Sequence, residues 1–243
     1  MAHLAATLHA RGQLKEAEKL HQEVLNTRIE FIGRQHPDTV AAMAHLAVTL
    51  RARGQLQETE KLEREVLDIR VKLLGRRHLD TVTTMVNLTS TLRARGQLEE
   101  AEKLRREVLD LRIQLLGRRH ISTVSTMAHL AATLRASGQL QEAQKLQRDV
   151  ADMYIELLGR RHPDTVSSMT HLASTLHACG QLEELGKLER EVADMSIELH
   201  GRQHPDTVTA MAHLAATLRA LGQLQEAEKV GKEVLDTRIE LLG

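Results

Sequence analysis

The sequence is poor in aromatics, proline and cysteine. Its 243 residues include one phenylalanine (Phe31), one tyrosine (Tyr154) and no tryptophan, with three prolines and one cysteine. An α/β or all-β core of this length would draw on aromatic and β-branched runs. Here Leu and Ala dominate, and both favour helix. The single Cys179 excludes an internal disulfide and leaves no partner for a CxxC or zinc-type motif. No run of about 18 apolar residues occurs, so no membrane span is expected. No charged-then-apolar N-terminal segment marks a secretory signal. Lys and Arg number 33, as do Asp and Glu, so the basic excess that supports non-specific nucleic-acid binding is missing. Together these absences fit a reducing, cytoplasmic setting.

What is present is repetition. Methionine recurs every 42 residues, at Met1, Met43, Met85, Met127, Met169 and Met211. Two glycine series keep the same period, one through Gly12, Gly54 and Gly96, the other through Gly33, Gly75 and Gly117. The chain thus reads as one array of six copies: 1–42, 43–84, 85–126, 127–168, 169–210 and 211–243. Each copy encodes two helices. The first begins near His36-Pro37-Asp38-Thr39, where proline suits a first turn and Asp38 favours the positive helix end. Val40, Met43, Leu46, Ala47 and Leu50 then mark one helical face, and Gly54 stops it. The second helix begins near Gln55-Leu56, with Leu62, Val66, Ile69 and Leu73 as its stripe and Gly75 at its end. Glu60 with Arg64, and Glu102 with Arg106, are i, i+4 pairs. No copy carries a strand signal. Neither helix can bury its stripe alone, so neighbouring copies must stack.

These residues resemble the tetratricopeptide repeat, in the 42-residue form of kinesin light chains and of repeat tails of fungal NB-ARC-type proteins. The matching positions in the second copy are Met43, Leu46, Ala47, Leu50, Gly54, Leu56, Leu62 and Val66. The connector from Leu158-Gly159 to Thr165 is the part most similar to kinesin light chain. The resemblance implies an all-α fold, a right-handed α-solenoid superhelix of six helix-turn-helix repeats. First helices would line its concave wall.

The same resemblance places three first-helix positions on that wall. One holds His45, Asn87, His129, His171 and His213, another Arg51, Arg93, Arg135, His177 and Arg219, with mostly small residues such as Val48 and Ser174 between. The charge distribution adds to this. Taken together, the first twelve residues of the six copies, from Met to Gly, contain seven arginines, none of them in the fifth copy, and no acid. The expected groove is neutral to positive and suits an extended acidic peptide or a C-terminal carboxylate, held through bidentate arginine contacts. Binding hot spots favour Trp, Tyr and Arg, and this wall supplies only the last.

Fourteen histidines invite a metal reading, but no HExxH or zinc-type spacing occurs. No metal or cofactor is expected. The connector histidines His36, His78, His120, His162 and His204 read as helix caps or connector contacts. No Ser-His-Asp or Cys-His grouping is specified, so no enzyme is expected, and the repeated serines and threonines read as helix-surface fillers. The GRRH segments lack the sustained basic excess of nucleic-acid sites.

The reading that follows is a protein-interaction scaffold whose groove binds a protein or peptide. Two alternatives stand beside it: the repeat sensor portion of a larger fungal signalling protein, and a structural or designed array with no dedicated ligand. The array ends form a second expected contact. Val230, Val234 and Leu241 would lack a following first helix, and end-to-end self-association is expected there.

Overall fold

The computed structural model describes residues 2–242, with side chains from residue 3 to residue 240. Among the described residues there are twelve helices and no strand. They divide between two compact units that part at residues 115 and 116. The first unit holds α1 (Ala2–Ala10), α2 (Leu14–Ile32), α3 (Pro37–Ala52), α4 (Leu56–Leu74), α5 (Leu79–Ala94) and nearly all of α6 (Leu98–Leu116). The second holds α7 (Ile121–Ala136), α8 (Leu140–Leu158), α9 (Pro163–Ala178), α10 (Leu182–His200), α11 (Pro205–Ala220) and α12 (Leu224–Leu242). Within each unit, successive helices pack as in a tetratricopeptide α-solenoid. None of the described helices is long and apolar enough to cross a membrane.

Local chemistry sets the helix ends. The imidazole of His36 caps α3, its Nδ1 accepting from the Asp38 N–H at 3.2 Å. His78, His120, His162 and His204 repeat this cap. The cap does not need the proline, because α5 and α7 begin at Leu79 and Ile121. At the other end of α3, Gly54 takes φ 78°, a left-handed conformation that costs an L side chain energy. This lets Gln55 N–H donate to Leu50 O at 3.0 Å and Gly54 N–H to Arg51 O at 2.9 Å, the pattern of a Schellman C-cap.

The threonines expected to be surface fillers are in part core. Thr39, Thr81 and Thr165 are buried, and their hydroxyls donate back to the carbonyls of Gly33, Gly75 and Gly159 at 2.7, 2.9 and 2.8 Å. Each bond staples the connector to the helix it feeds, and burial without that bond would leave the hydroxyl unsatisfied.

The apolar faces meet as the period dictates. In the first unit, Met43, Leu46 and Leu50 of α3 pack between Val24 and Leu25 of α2 and Val66 and Ile69 of α4. In the second, Met211, Leu214 and Leu218 of α11 pack between Ala193 of α10 and Val234 of α12. Burying a side chain of this kind contributes about 1.5–3 kcal/mol. Leu73 departs from the expected stripe, being 49% exposed near the end of α4. Val234 is buried and Val230 half-buried against α11, so these two do have cover, while Leu241 lies outside the residues whose side chains are described. The exposed apolar side chains of α12 are instead Leu224, Leu235 and Ile239.

Arginines lace neighbouring copies together on the polar side. The GRRH arginines Arg76 and Arg118 reach Glu107 and Asp149 in the next second helix, at 2.9 and 3.0 Å. Arg34, Arg160 and Arg202 make the same link to Glu65, Glu191 and Glu233. Exposed pairs of this kind contribute about 0–1 kcal/mol each, but they occupy the connector basic groups. A second series runs deeper. Arg53 pairs with Glu18, and Arg95 with Glu60. Where the arginine is replaced by Leu221, the matching acid is replaced by Gly186. A Cβ on that glycine would stand 3.1 Å from Leu221 Cδ1.

Candidate functional site

In the second unit, α9 and α11 stand side by side over α10 and enclose a cavity of about 640 Å³. Its walls come from the first-helix positions singled out above. His171, Ser174 and His177 face it from α9, and His213, Ala216 and Ala220 from α11. The small residues at 174 and 216 leave the width that the flanking histidines would otherwise fill. The floor is α10, through Glu189, Val192 and Ser196. No Lys or Arg is among the residues lining this cavity.

Glu189 is the chemically distinctive member. Burial is the largest influence on its carboxyl and pushes its pKa above the usual range. A hydrogen bond from Thr217 and the charges of His213 and His177 oppose that rise. One carboxylate oxygen, Oε2, is buried without a hydrogen-bond partner. His171 is shifted downward, first by desolvation within the groove and then by the charge of Arg135. The site thus offers a buried acceptor, four imidazoles including that of His200, and a floor in which Val192 lies between Glu189 and Ser196.

Of the ten residues expected on the wall, His171, His177 and His213 come together at this cavity. Arg135 acts on it through His171, and Arg219 adjoins it in α11, next to the lining residue Ala220. His129 turns Nδ1 towards the carbonyl oxygen of Ser125, one turn back along α7, at 2.8 Å.

The remaining four lie in the first unit. Arg51 donates to the carbonyl oxygen of Asn87 at 3.3 Å and lies 3.5 Å from the carboxylate of Glu63. This arginine therefore already holds an internal acceptor. His45 stacks on His21, ring centroids 6.1 Å apart, and His21 Nδ1 meets the hydroxyl of Thr49 at 3.0 Å. Arg93 is exposed on α5, and its charge acts on Arg105. Arg105 is only 2% exposed, and its pKa is pushed down to about 10 by burial, then by the charges of Arg93 and Arg112.

Sequence reasoning missed the second-helix column to which Glu189 belongs. It holds His21, Glu63, Arg105, Gln147, Glu189 and Gly231 in the six copies. The first four are buried, and Glu189 is half-buried. The signal was present: five residue types occupy one column of otherwise closely similar copies. A buried column that core packing alone governed would hold one apolar residue throughout.

Five overlapping segments, residues 1–70, 41–114, 80–156, 122–184 and 164–240, match the tetratricopeptide repeat family. No curated protein matches the sequence. Among solved structures, the chain is similar to the Podosopora anserina kinesin-light-chain candidate with nearly identical TPR-like repeats. Identity there is 28%, over 85% of this chain and 98% of that one, with a TM-score of 0.76. BtubC (BKLC) from P. vanneervenii shares the fold at 17% identity, over 96% of this chain and 92% of that one, TM-score 0.77. A Pyrococcus horikoshii signal-transduction ATPase with a tetratricopeptide repeat sensor does so at 17%, over 95% of this chain and 34% of that one, TM-score 0.76. From the matched segments and the helix pairs they encode, the chain belongs to the tetratricopeptide repeat family.

Proposed function

We propose that this chain is a protein-interaction scaffold in which the α9–α11 groove takes an extended peptide. The observation that carries the reading is the 640 Å³ cavity, walled by first helices of two neighbouring copies and floored by the helix between them. A peptide lying across the first helices would place small or apolar side chains against Val192, Ala216 and Ala220. Its backbone amides would find acceptors in Glu189 and the groove histidines. Acidic side chains belong outside the cavity, beside Arg135 and Arg219, since the segments 127–138 and 211–222 that carry these arginines contain no Asp or Glu. Arginines of this kind favour acidic segments mainly through encounter rate and salt sensitivity. A peptide array with matched acidic and neutral sequences tests the reading. Acidic peptides should be retained preferentially, and Arg135→Ala should erase that preference. Equal retention of both classes would remove the charge argument.

End-to-end self-association remains a second proposal. Leu235 on α12 is 57% exposed, while its equivalents Leu25 and Ala193 are 3% exposed beneath a following first helix. Leu4 on α1 is likewise exposed, whereas its equivalent Leu46 is buried. A second copy that set α1 on α12 would repeat the internal interface. Sedimentation at rising concentration should show growing species, and Leu235→Glu should abolish them.

A further inference from the structure

His200 breaks the repeat. Four other copies carry leucine at this position, namely Leu74, Leu116, Leu158 and Leu242, and the first carries Ile32. The histidine ends α10, and its ring stacks on that of His204 with centroids 4.3 Å apart and planes at 19°. His204 caps α11 by accepting from the Asp206 N–H at 3.2 Å, and Asp206 Oδ2 lies 3.7 Å from the same ring nitrogen. One ligand atom from each of His200, His204 and Asp206 lies within 4.8 Å of the other two. The connector between them is short and bonded, with Gly201 N–H donating to Ile197 O at 2.9 Å and His204 N–H to Gly201 O at 3.4 Å. Two helix ends joined by such a connector hold the three groups in place.

Repetition explains His204 and Asp206, because His162 with Asp164 and His78 with Asp80 recur as the same cap pair. It does not explain His200. Nor does core packing: among the equivalents Leu74 and Ile32 are exposed and Leu116 and Leu158 half-buried, so no core shape fixes the residue here. Two imidazoles and a carboxylate are the donor set of zinc sites that keep an open position, and imidazole suits Zn²⁺, Cu²⁺ and Ni²⁺ over hard cations. We propose that His200, His204 and Asp206 bind a divalent transition-metal ion of the zinc class at the α10–α11 connector. His200 and Asp206 also line the groove cavity, so an ion held there stands at the cavity's edge. The site does not depend on the peptide reading.

Calorimetric titration of the tag-free chain with zinc chloride tests this, with the absorption of Co²⁺ as an independent readout of inner-sphere nitrogen ligation. The wild type should take up one tightly bound ion per chain. His200→Leu restores the residue of the other copies and should leave the circular-dichroism spectrum unchanged while weakening uptake on the order of 10- to 100-fold or more. His3→Gln removes an exposed histidine of the other unit and should leave zinc uptake unchanged. Leu158→His places the missing third group beside His162 and Asp164 and should add a second equivalent. A wild type without saturable uptake, undiminished affinity in His200→Leu, or no gain in Leu158→His would each overturn the proposal.

Discussion

Arg51 of α3 lies 3.5 Å from the carboxylate of Glu63 in α4, and that carboxylate is almost wholly buried. Burial raises the Glu63 pKa, while Thr91 and Arg51 lower it and Glu60 raises it further. The arginine therefore compensates an internal charge. Arg51→Met should cost about 1–3 kcal/mol, the penalty of a buried charged group left without its partner. Adding Glu63→Gln should recover most of that loss. Chemical denaturation of the two single variants and the double variant checks the coupling; additive losses would contradict it.

Leu221 occupies the space that a side chain at residue 186 would need, since a Cβ on Gly186 would stand 3.1 Å from it. In two earlier copies the same two positions hold the Glu18–Arg53 and Glu60–Arg95 pairs. Burial alone would raise Glu60, but Arg64 and Arg95 outweigh it and hold the carboxyl below its usual range. Gly186→Glu should cost about 1–3 kcal/mol through overpacking and an unpaired acid. Combining it with Leu221→Arg should restore the ion pair and most of the melting temperature. No rescue in the double variant would show that the two columns are independent.

Glu189 makes the second unit sensitive to pH in a defined direction. Its folded pKa is raised, so the native state binds the proton more tightly than the unfolded chain, whose carboxyl titrates near 4.3. Its contribution to stability therefore falls as pH rises from that ordinary value through the raised one. At neutral pH the full cost of a desolvated charge is present. Glu189→Gln keeps an acceptor for Thr217 and removes the charge, so it should raise the melting temperature at pH 7. The gain should shrink steadily as pH falls towards 4. A gain independent of pH, or a loss at pH 7, would contradict the assignment.

The fold was legible because the period and the stops are chemical. Met43, Leu46 and Leu50 recur on one face, and Gly54 and Gly75 terminate helices through a backbone conformation that side chains disfavour. Proline proved dispensable at Leu79 and Ile121 because the histidine one residue earlier does the capping. The groove was legible only in part. First-helix positions can be placed from the resemblance, which puts His171, His177 and His213 on one wall. The floor could not be placed that way. Glu63 and Glu189 stand amid charged residues, and a helical pattern assigns such residues to solvent. Their burial depends on the following first helix, whose Thr91 and Thr217 act on their carboxyls. Likewise, Leu73 belongs to the stripe by spacing, yet it lies near the end of α4 and faces water.

Peptide binding in the α9–α11 groove is the proposal that one substitution tests most directly. Ser174 lines that cavity and is exposed on α9, so Ser174→Trp fills the groove without entering the core. Fluorescence anisotropy of an array-selected peptide should show saturable binding to the wild type and affinity reduced at least about tenfold, or ~1.4 kcal/mol, in Ser174→Trp. The variant's melting temperature should stay unchanged. Unaltered affinity in a folded Ser174→Trp chain would contradict the assignment of this groove.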